Sequence, residues 1–248
     1  MAAQSRNIAE LENASVWRLL IQYSLPSIAG MVVYSLYNII DSVFIGHGVG
    51  PLAISGLALT FPLMNLAAAF GSLVGVGAAT LISMRLGQRD YETAQRVLGN
   101  VLVLNLIIGI AFGLVALLFL DPILYFFGAS ENTISYARDY MNVILIGNVI
   151  THMYLGLNAV LRSSGFPKLA MYATLASVVI NCVLNPLFIF GFGWGIKGSA
   201  WATVISQVIS LTGQLIHFSR PKELLHFKKG IYRLKSEIVK GILYIGMS

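Results

Sequence analysis

Residues 19–84, LLIQYSLPSIAGMVVYSLYNIIDSVFIGHGVGPLAISGLALTFPLMNLAAAFGSLVGVGAATLISM, decide the fold of this chain. Asp41 is the only Asp, Glu, Lys or Arg in this stretch, which lies between Arg18 and Arg85. A membrane-spanning helix needs about 20 mostly apolar residues to cross a hydrocarbon core of roughly 30 Å. The stretch is therefore long enough for two membrane-spanning helices.

The rest of the chain has the same character, with 57% hydrophobic and 10% charged residues among 248. Such a composition indicates that the solvent of the folded protein is lipid. Apolar runs predict spans at 17–45, 53–83, 94–120, 134–161, 169–191 and 197–218. Gly, Ala and Ser recur within these runs, which is typical of closely packed membrane helices. We therefore predict an all-α integral membrane protein, a bundle of six transmembrane helices.

The 16 basic residues fall mainly on one side of these spans. Fourteen lie in the N-terminal segment or in the second, fourth and sixth connections: Arg6, Arg18, Arg85, Arg89, Arg96, Arg162, Lys168, Arg220, Lys222, Lys228, Lys229, Arg233, Lys235 and Lys240. Only Arg138 and Lys197 fall on the other side. The positive-inside rule places the side with 14 basic residues in the cytoplasm. The excess of basic residues thus reflects the orientation of the chain in the membrane, and we predict no nucleic-acid partner.

The last residues resemble the start of the first span. Residues 242–248, ILYIGMS, align with residues 21–27, IQYSLPS, and share the Ile, the Tyr and the final Ser. We therefore expect a transporter built from two parallel six-helix repeats. The predicted divisions are a cytoplasmic N-terminal segment (1–16), a six-helix N-terminal lobe (17–219), a basic cytoplasmic linker (220–236) and the start of a seventh helix (237–248). The linker is either a plain connection or a contact with anionic lipid.

Asp41 is the first candidate functional residue, since it is the only acidic residue well inside a predicted span. A carboxylate at membrane depth is costly and normally faces a cavity, a partner or an ion. Tyr34, Tyr37 and Asn38 lie seven, four and three residues before it and share its helix face. Pro26 removes a backbone donor lower in the helix, which predicts either a functional bend or a tolerated kink.

The fifth span carries a second polar pair. Asn181 and Asn185 are four residues apart and share a helix face, and Pro186 follows at once. Because proline has no N–H, the carbonyl of Cys182 loses its helical partner and is free for an ion, a water or another helix. The alternative is that the two asparagines only hydrogen-bond between helices.

The sixth span adds Thr203 and, one turn later on the same face, Gln207, which we expect to support the site or face the substrate. Together with Asp41, Asn181 and Asn185, the Thr203 hydroxyl predicts a hard oxygen site for Na+, or a proton site centred on the carboxylate. The sequence leaves both ions open. Around the four histidines there is no nucleophile, base and acid set, so no catalytic residue and no cofactor is predicted.

Four segments give the chain a family resemblance. They are 37–46 (YNIIDSVFIG), 161–168 (LRSSGFPK), 181–186 (NCVLNP) and 195–203 (GIKGSAWAT). With these segments the chain resembles the MATE family, the multidrug and toxic-compound extrusion transporters, most closely its bacterial members.

This resemblance implies twelve helices in two lobes and exchange of Na+ or H+ for cationic amphipathic compounds. The present chain would be the N-terminal lobe, with a C-terminal lobe as its partner, in the inner (plasma) membrane and with a cytoplasmic N-terminus. Asp41, Asn181, Asn185 and Thr203 match the ion-coupling positions, and Tyr37 and Tyr140 are supporting polar groups. Some members carry a carboxylate where this chain has Asn185, so one negative charge is missing here.

Two alternatives to a drug antiporter follow from the same residues. A lipid-linked oligosaccharide or polysaccharide flippase of the same superfamily would share the architecture, but such flippases place basic residues in the cavity to hold phosphates. No Lys or Arg lies deep within a predicted span, which favours cationic or neutral substrates. A membrane-embedded enzyme or scaffold would explain a lone buried Asp, yet no catalytic set supports it.

Overall fold

The computed structural model describes residues 15–247, except the side chains of residues 18, 19, 22, 23, 26, 27, 30, 31, 33, 34, 36, 37 and 38. This part of the chain is helical and contains no β-strand. In chain order the helices are α1 (Val16–Gly48), α2 (Pro51–Gly87), α3 (Tyr91–Leu118), α4 (Leu120–Phe126), α5 (Ile134–Ile146), α6 (Asn148–Ser163), α7 (Pro167–Pro186), α8 (Gly195–Phe218) and α9 (Ser236–Met247). A π-helical segment, Leu187–Gly191, follows α7.

The helix boundaries follow from ordinary start signals in the sequence. Pro51 and Pro167 stand at the first positions of α2 and α7, where a missing N–H costs nothing. Gly50, with φ of 118°, makes the turn before α2 that a residue with a Cβ rarely adopts. The Asp90 carboxylate accepts a hydrogen bond from the Thr93 backbone N–H at 3.1 Å and so caps α3. Hydrogen bonds from the Thr93 side chain and, second, from this backbone N–H lower the pKa of Asp90 below its usual range.

Each predicted span is helical, and four of the six meet length and hydropathy criteria for a membrane helix over the described residues. These four are α2, α3, α7 with its π-helical segment, and the α5–α6 pair taken as one span. The remaining two, α1 and α8, have 33 and 24 residues and so exceed the about 20 that a crossing needs.

The fourth span is bent, which was not predicted from the sequence. Helices α5 and α6 meet at Gly147 at an angle of 57°. A Cβ at Gly147 would lie 2.5 Å from the side chain of Val204 in α8. The bend therefore falls at a glycine. Because this residue has no side chain, the α5–α6 span packs directly on Val204 of α8.

Two clusters of buried apolar side chains hold the bundle together, one toward each end. The first includes Leu86, Ala94 and Leu161 beside the α2–α3 and α6–α7 connections, and the second includes Ile45 and Ala53 beside the α1–α2 connection. We call the first the linker end, because the chain between α8 and α9 also lies there, and the second the opposite end. The polar residues described below lie between these clusters on α1, α7 and α8.

Both basic residues at the opposite end form ion pairs. The Arg138 guanidinium donates to both carboxylate oxygens of Asp121 at 2.8 and 2.7 Å, and the Lys197 ammonium lies 3.2 Å from the Asp139 carboxylate. The Arg138 guanidinium also lowers the pKa of the Asp121 carboxyl. These pairs are half exposed, so they contribute little to stability, but they leave no unbalanced positive charge at this end.

Residues 219–235, here called the linker, are packed against α3. The Asn100 side chain is fully buried, donates to the carbonyls of Ile231 and Arg233, and accepts from the backbone N–H of Lys235 at 3.3 Å. One turn earlier, the amide nitrogen of Gln95 donates to the His226 carbonyl. Two side chains of α3 thus satisfy backbone groups of an otherwise irregular segment.

After the linker, α9 crosses α2 at a contact made by two glycines. A Cβ at Gly77 would overlap the carbonyl of Ile242, and a Cβ at Gly246 would overlap the carbonyl of Leu73. The two helix backbones are therefore in direct contact, as in small-xxx-small interfaces of membrane helices.

This contact makes Gly77 intolerant of any side chain. We expect Gly77→Ala to lower the thermal unfolding temperature in detergent, because overpacking of a close contact costs about 1–3 kcal/mol. Gly213→Ala in α8 is the matched control, since no atom lies within 4 Å of its added Cβ. There the same change is expected to leave stability equal or higher, because Ala is the better helix former. Equal effects of the two substitutions would show that the α2–α9 contact is not close.

Candidate functional site

Asp41 lies in the second half of α1 and is only 4% exposed. Its Oδ1 accepts hydrogen bonds from the Ser199 hydroxyl at 2.5 Å and from the amide nitrogen of Asn185. The Tyr140 hydroxyl also donates to this carboxylate. Donors from α5, α7 and α8 thus converge on one carboxylate of α1, which is how a protein keeps such a group away from water.

A second layer of polar groups lies beside this carboxylate. The amide nitrogen of Asn181 donates to the Thr203 hydroxyl oxygen at 3.3 Å, and the Thr203 hydroxyl donates to the Ser199 carbonyl at 3.2 Å. All three residues are buried, with exposures of 6% or less. Two helices, α7 and α8, therefore meet along a polar seam that leads to Asp41.

Two oxygens of this seam have no hydrogen-bond donor. The side-chain Oδ1 atoms of Asn181 and Asn185 are buried and unpartnered. A buried acceptor without a partner costs about 1–3 kcal/mol, so such atoms need an explanation in a native fold. Both belong to residues whose amide nitrogens are already engaged at the Asp41 cluster, which leaves their oxygens free to coordinate a cation or a water.

Helical spacing explains why these residues meet. Asn181 and Asn185 are one turn apart on α7, and Ser199 and Thr203 are one turn apart on α8, so each pair shares a face. Close approach is secured by Gly198, because a Cβ there would lie only 3.0 Å from the backbone of Phe188. The start of α8 thereby packs directly on the π-helical segment after α7.

That π-helical segment begins directly after Pro186. The Leu187 N–H bonds to the Leu184 carbonyl instead of continuing the regular helical pattern. π-Helical turns are rare and frequently occur at functional sites. The change in helix type thus falls next to Asn185, while the free carbonyl expected at Cys182 stays a prediction.

The structure brings most of the predicted residues together, but not all. Tyr140 contacts the Asp41 carboxylate. Gln207 instead accepts a hydrogen bond from the Thr151 hydroxyl of α6 at 2.6 Å, so it belongs to a separate α6–α8 contact. Pro26, Tyr37 and Asn38 have side chains outside the described residues, and their roles stay predictions.

Ser199 is the residue that the sequence analysis missed. Its hydroxyl donates directly to Asp41, and the side chain is fully buried. A signal was present, since Ser199 stands four residues before Thr203 and so shares its helix face. Serine is common in membrane helices as a packing residue, which is why spacing alone did not single it out.

The chemistry of the cluster suits a single positive charge. One carboxylate is surrounded by hydroxyl and amide groups, and no group of three or more His, Cys, Asp or Glu occurs within residues 15–247. Hydroxyl, amide and carboxylate oxygens are hard ligands, which fit alkali and alkaline-earth cations better than soft metals. A lone carboxylate balances one charge, so a monovalent cation or a proton matches it.

Comparison with known proteins gives the family. The sequence model of the family described as MatE matches residues 26–187. Multidrug export protein MepA of Staphylococcus haemolyticus is 31% identical over 236 residues, which cover 95% of this chain and 52% of that protein. MepA of Staphylococcus aureus is 30% identical with the same coverage. The chain thus spans about half the length of the curated relatives it matches.

Solved structures agree with this assignment. A MATE protein in a bent conformation superposes with a TM-score of 0.86 at 30% identity, covering 92% of this chain and 51% of that chain. A MOP superfamily transporter from Pyrococcus furiosus superposes with a TM-score of 0.84 at 31% identity and covers the same 92% of this chain. The chain therefore belongs to the MatE family, a family of membrane transporters rather than enzymes.

Proposed function

We propose that this chain forms the N-terminal lobe of a secondary active transporter that exports cationic or amphipathic drugs by antiport with Na+ or H+. The observation that carries the proposal is the buried Asp41 carboxylate, with two unpartnered amide oxygens in the residues beside it. Relatives that match 95% of the chain are named multidrug export proteins, which supports the substrate class.

The energetics favour an ion at this cluster. A carboxylate at membrane depth costs on the order of 3 kcal/mol even on the lenient insertion scale. Hydrogen bonds from Ser199, Asn185 and Tyr140 offset part of this cost, but they do not neutralise the charge. A bound Na+ or proton would neutralise it. The binding of a cation at this site would therefore be favourable in free energy.

Cation binding would rearrange the same hydrogen bonds. A Na+ at Asp41 requires oxygens rather than N–H groups to face it, so the Asn185 amide would turn its free Oδ1 inward and withdraw its nitrogen. A proton on Asp41 would instead weaken the hydrogen bonds that Ser199 and Asn185 now donate to Oδ1, because the carboxyl would no longer be charged. Either change alters the contact of α1 with α7 and α8. Such contacts couple an ion to helix position only if its affinity differs between two conformations.

We assign Asp41, Asn181, Asn185 and Thr203 to ion coupling and keep both ions open. Ser199 and Tyr140 serve as supporting donors to the Asp41 carboxylate. Na+ would use the free amide oxygens, whereas a proton needs only Asp41. One carboxylate fits an exchange in which one monovalent cation enters for each cycle.

Substrate would meet the outer half of α1. A hollow of 650 Å³ lies between α1 and α2, on the far side of α1 from the Asp41 carboxylate. Its lining is mainly apolar and consists of Ile39, Ser42, Val43, Gly46, His47, Ile54 and Phe61. An apolar wall of this size suits amphipathic molecules. The flippase alternative would need basic residues here to hold phosphates, and His47 is the one basic side chain among the described lining residues, which include no Lys or Arg.

We also propose the orientation and partner that go with this function. The N-terminus is cytoplasmic and the protein resides in the inner (plasma) membrane, because 14 of the 16 basic residues lie on one side. Its partner is a second six-helix lobe of the same protein, with the cation and drug sites in the first lobe. No cofactor or nucleic acid takes part.

The first test replaces the carboxylate. Asp41→Asn in the full-length protein is expected to abolish efflux of a cationic dye driven by an imposed Na+ or pH gradient, while membrane insertion is unchanged. Asp139→Asn is the matched control, because Asp139 is a half-exposed acid paired with Lys197 at the opposite end. It should retain at least half of the native rate. The gradient that drives native efflux names the ion.

Undiminished efflux by Asp41→Asn would refute the assignment of the coupling residue. If native protein moves no cationic dye under either gradient but moves a lipid-linked oligosaccharide, the flippase alternative replaces the antiporter.

A second test changes the charge of the site. Asn185→Asp places a second carboxylate beside Asp41, and we expect at least about tenfold tighter Na+ binding, since a nearby opposite charge contributes about 1 to 4 kcal/mol between the dielectric of water and that of a protein surface, and about 1.4 kcal/mol is tenfold. The measurement is the Na+ concentration that half-saturates the rise in thermal unfolding temperature at alkaline pH. Weaker Na+ binding than in the native protein would remove Asn185 from the site.

A third test addresses Ser199. Ser199→Ala removes a direct donor to Asp41 and is expected to change the cation-dependent rise in unfolding temperature. Ser206→Ala is the matched control, because this buried serine of α8 donates to the Thr203 carbonyl of its own helix at 2.8 Å. Identical cation responses of the two variants would show that Ser199 only packs.

A further inference from the structure

The two ends of the bundle differ in how their positive charges are balanced. At the opposite end Arg138 and Lys197 are both paired with acids. At the linker end Lys228, Lys229 and Lys235 make no ion pair with any residue of 15–247. The excess positive charge of the described residues therefore lies at the linker end.

Part of this charge surrounds a defined hollow. A cavity of 520 Å³ lies between the end of α2, the start of α3 and the start of α9. Three cations, Arg85, Arg96 and Lys235, and two anions, Glu92 and Glu237, line it. Arg96 pairs with Glu92 at 2.5 Å, and Lys235 has no acidic partner there. Three positive and two negative charges leave a net charge of +1.

The inner wall of the hollow is apolar. Leu81 of α2 and Ile238 and Gly241 of α9 line the side toward the bundle. Leu81 and Ile238 belong to the apolar cluster at the linker end and are less than 10% exposed. The hollow thus offers a charged rim beside an apolar wall, at the level where helices leave the hydrocarbon.

The rim is also held in place by the fold. The backbone N–H of Lys235 donates to the buried Asn100 side chain, which binds two further linker carbonyls. Arg85 is positioned by Asp90 at 3.5 Å and by Gln88 at 3.3 Å. The cations therefore stand on ordered backbone, which lowers the entropy that a ligand must overcome.

We propose that this hollow binds the headgroup of an anionic phospholipid of the adjoining leaflet. A phosphodiester carries one negative charge, which complements the net +1, and arginines match its oxygens by paired hydrogen bonds. The apolar wall accommodates the glycerol and the first acyl carbons. A free phosphate would contact only the charged rim and would bury no apolar surface against Leu81, Ile238 and Gly241. A charged rim beside an apolar wall therefore favours a lipid over a free phosphate.

Bound lipid would add an ionic link between parts of the chain that the Asn100 hydrogen bonds and the α2–α9 contact already join. Arg85 and Arg96 belong to the six-helix bundle, whereas Lys235 and Ile238 belong to the linker and α9. A headgroup held by both sets would fix the start of α9 against α2 and α3. The site is separate from the Asp41 cluster, and its occupancy is measured without any transport.

The test is lipid binding by the full-length protein in detergent micelles. Native mass spectrometry would titrate the protein with phosphatidylglycerol, phosphatidylcholine and soluble glycerol phosphate. The loss variant is Arg85→Gln with Lys235→Gln, and the matched control is Lys228→Gln with Lys229→Gln, which removes the same charge from the same end outside the hollow. Glu237→Gln is the gain variant, because it raises the net charge of the hollow to +2.

We expect saturable binding of phosphatidylglycerol, weakened about 30-fold by the loss variant, because each of the two basic residues removed contributes about 1 kcal/mol near an anionic surface. The control should bind as the native protein does, and Glu237→Gln should bind more tightly. Equal weakening by the loss and control variants would overturn the proposal in favour of diffuse surface charge. Equal affinity for soluble glycerol phosphate would overturn the lipid assignment.

Discussion

The burial of one carboxylate constrains the arrangement of this lobe. Asp41 is placed by α1 at a depth where its charge is costly, and it is kept there only because α5, α7 and α8 each contribute a donor. Moving any of these helices by a few ångströms would leave the charge with fewer partners. The position of α1 is thus tied energetically to the charge of Asp41, which is the property that the proposed ion coupling requires.

Small residues make that convergence sterically feasible. Gly198 allows the start of α8 to lie on Phe188, and Gly147 allows the bent α5–α6 span to lie on Val204. In lipid, where apolar burial provides no drive between helices, such close backbone contacts and a few polar contacts hold the bundle. The polar seam between α7 and α8 is therefore part of the packing as well as of the candidate site, and the unpartnered oxygens of Asn181 and Asn185 mark the part that we propose to bind a cation.

Much of the fold and of the candidate site could be predicted from the sequence, because the sequence signals for them are local. Runs of apolar residues defined the helices, a lone Asp inside such a run marked Asp41, and spacing of four put Asn181 and Asn185 on one face. The spacing of residues along one helix does not determine how that helix is rotated against its neighbours. For that reason Gln207, one turn from Thr203, was grouped with the site although it bonds to Thr151, and Ser199 was overlooked although it donates to Asp41. The docking of the linker by Asn100 depends on residues more than 130 positions apart and had no local signal either.

We propose that a cation binds the carboxylate of Asp41. Infrared difference spectroscopy observes that carboxylate directly. Spectra of the purified full-length protein would be recorded during titration with Na+ and, separately, with acid, and the Asp41→Asn spectra would be subtracted. We expect one of the two titrations to shift the Asp41 carboxylate band, by ligation or by protonation, and the shift to be absent from the variant. A band that responds to neither ion would contradict the claim and leave Asp41 as a structural residue.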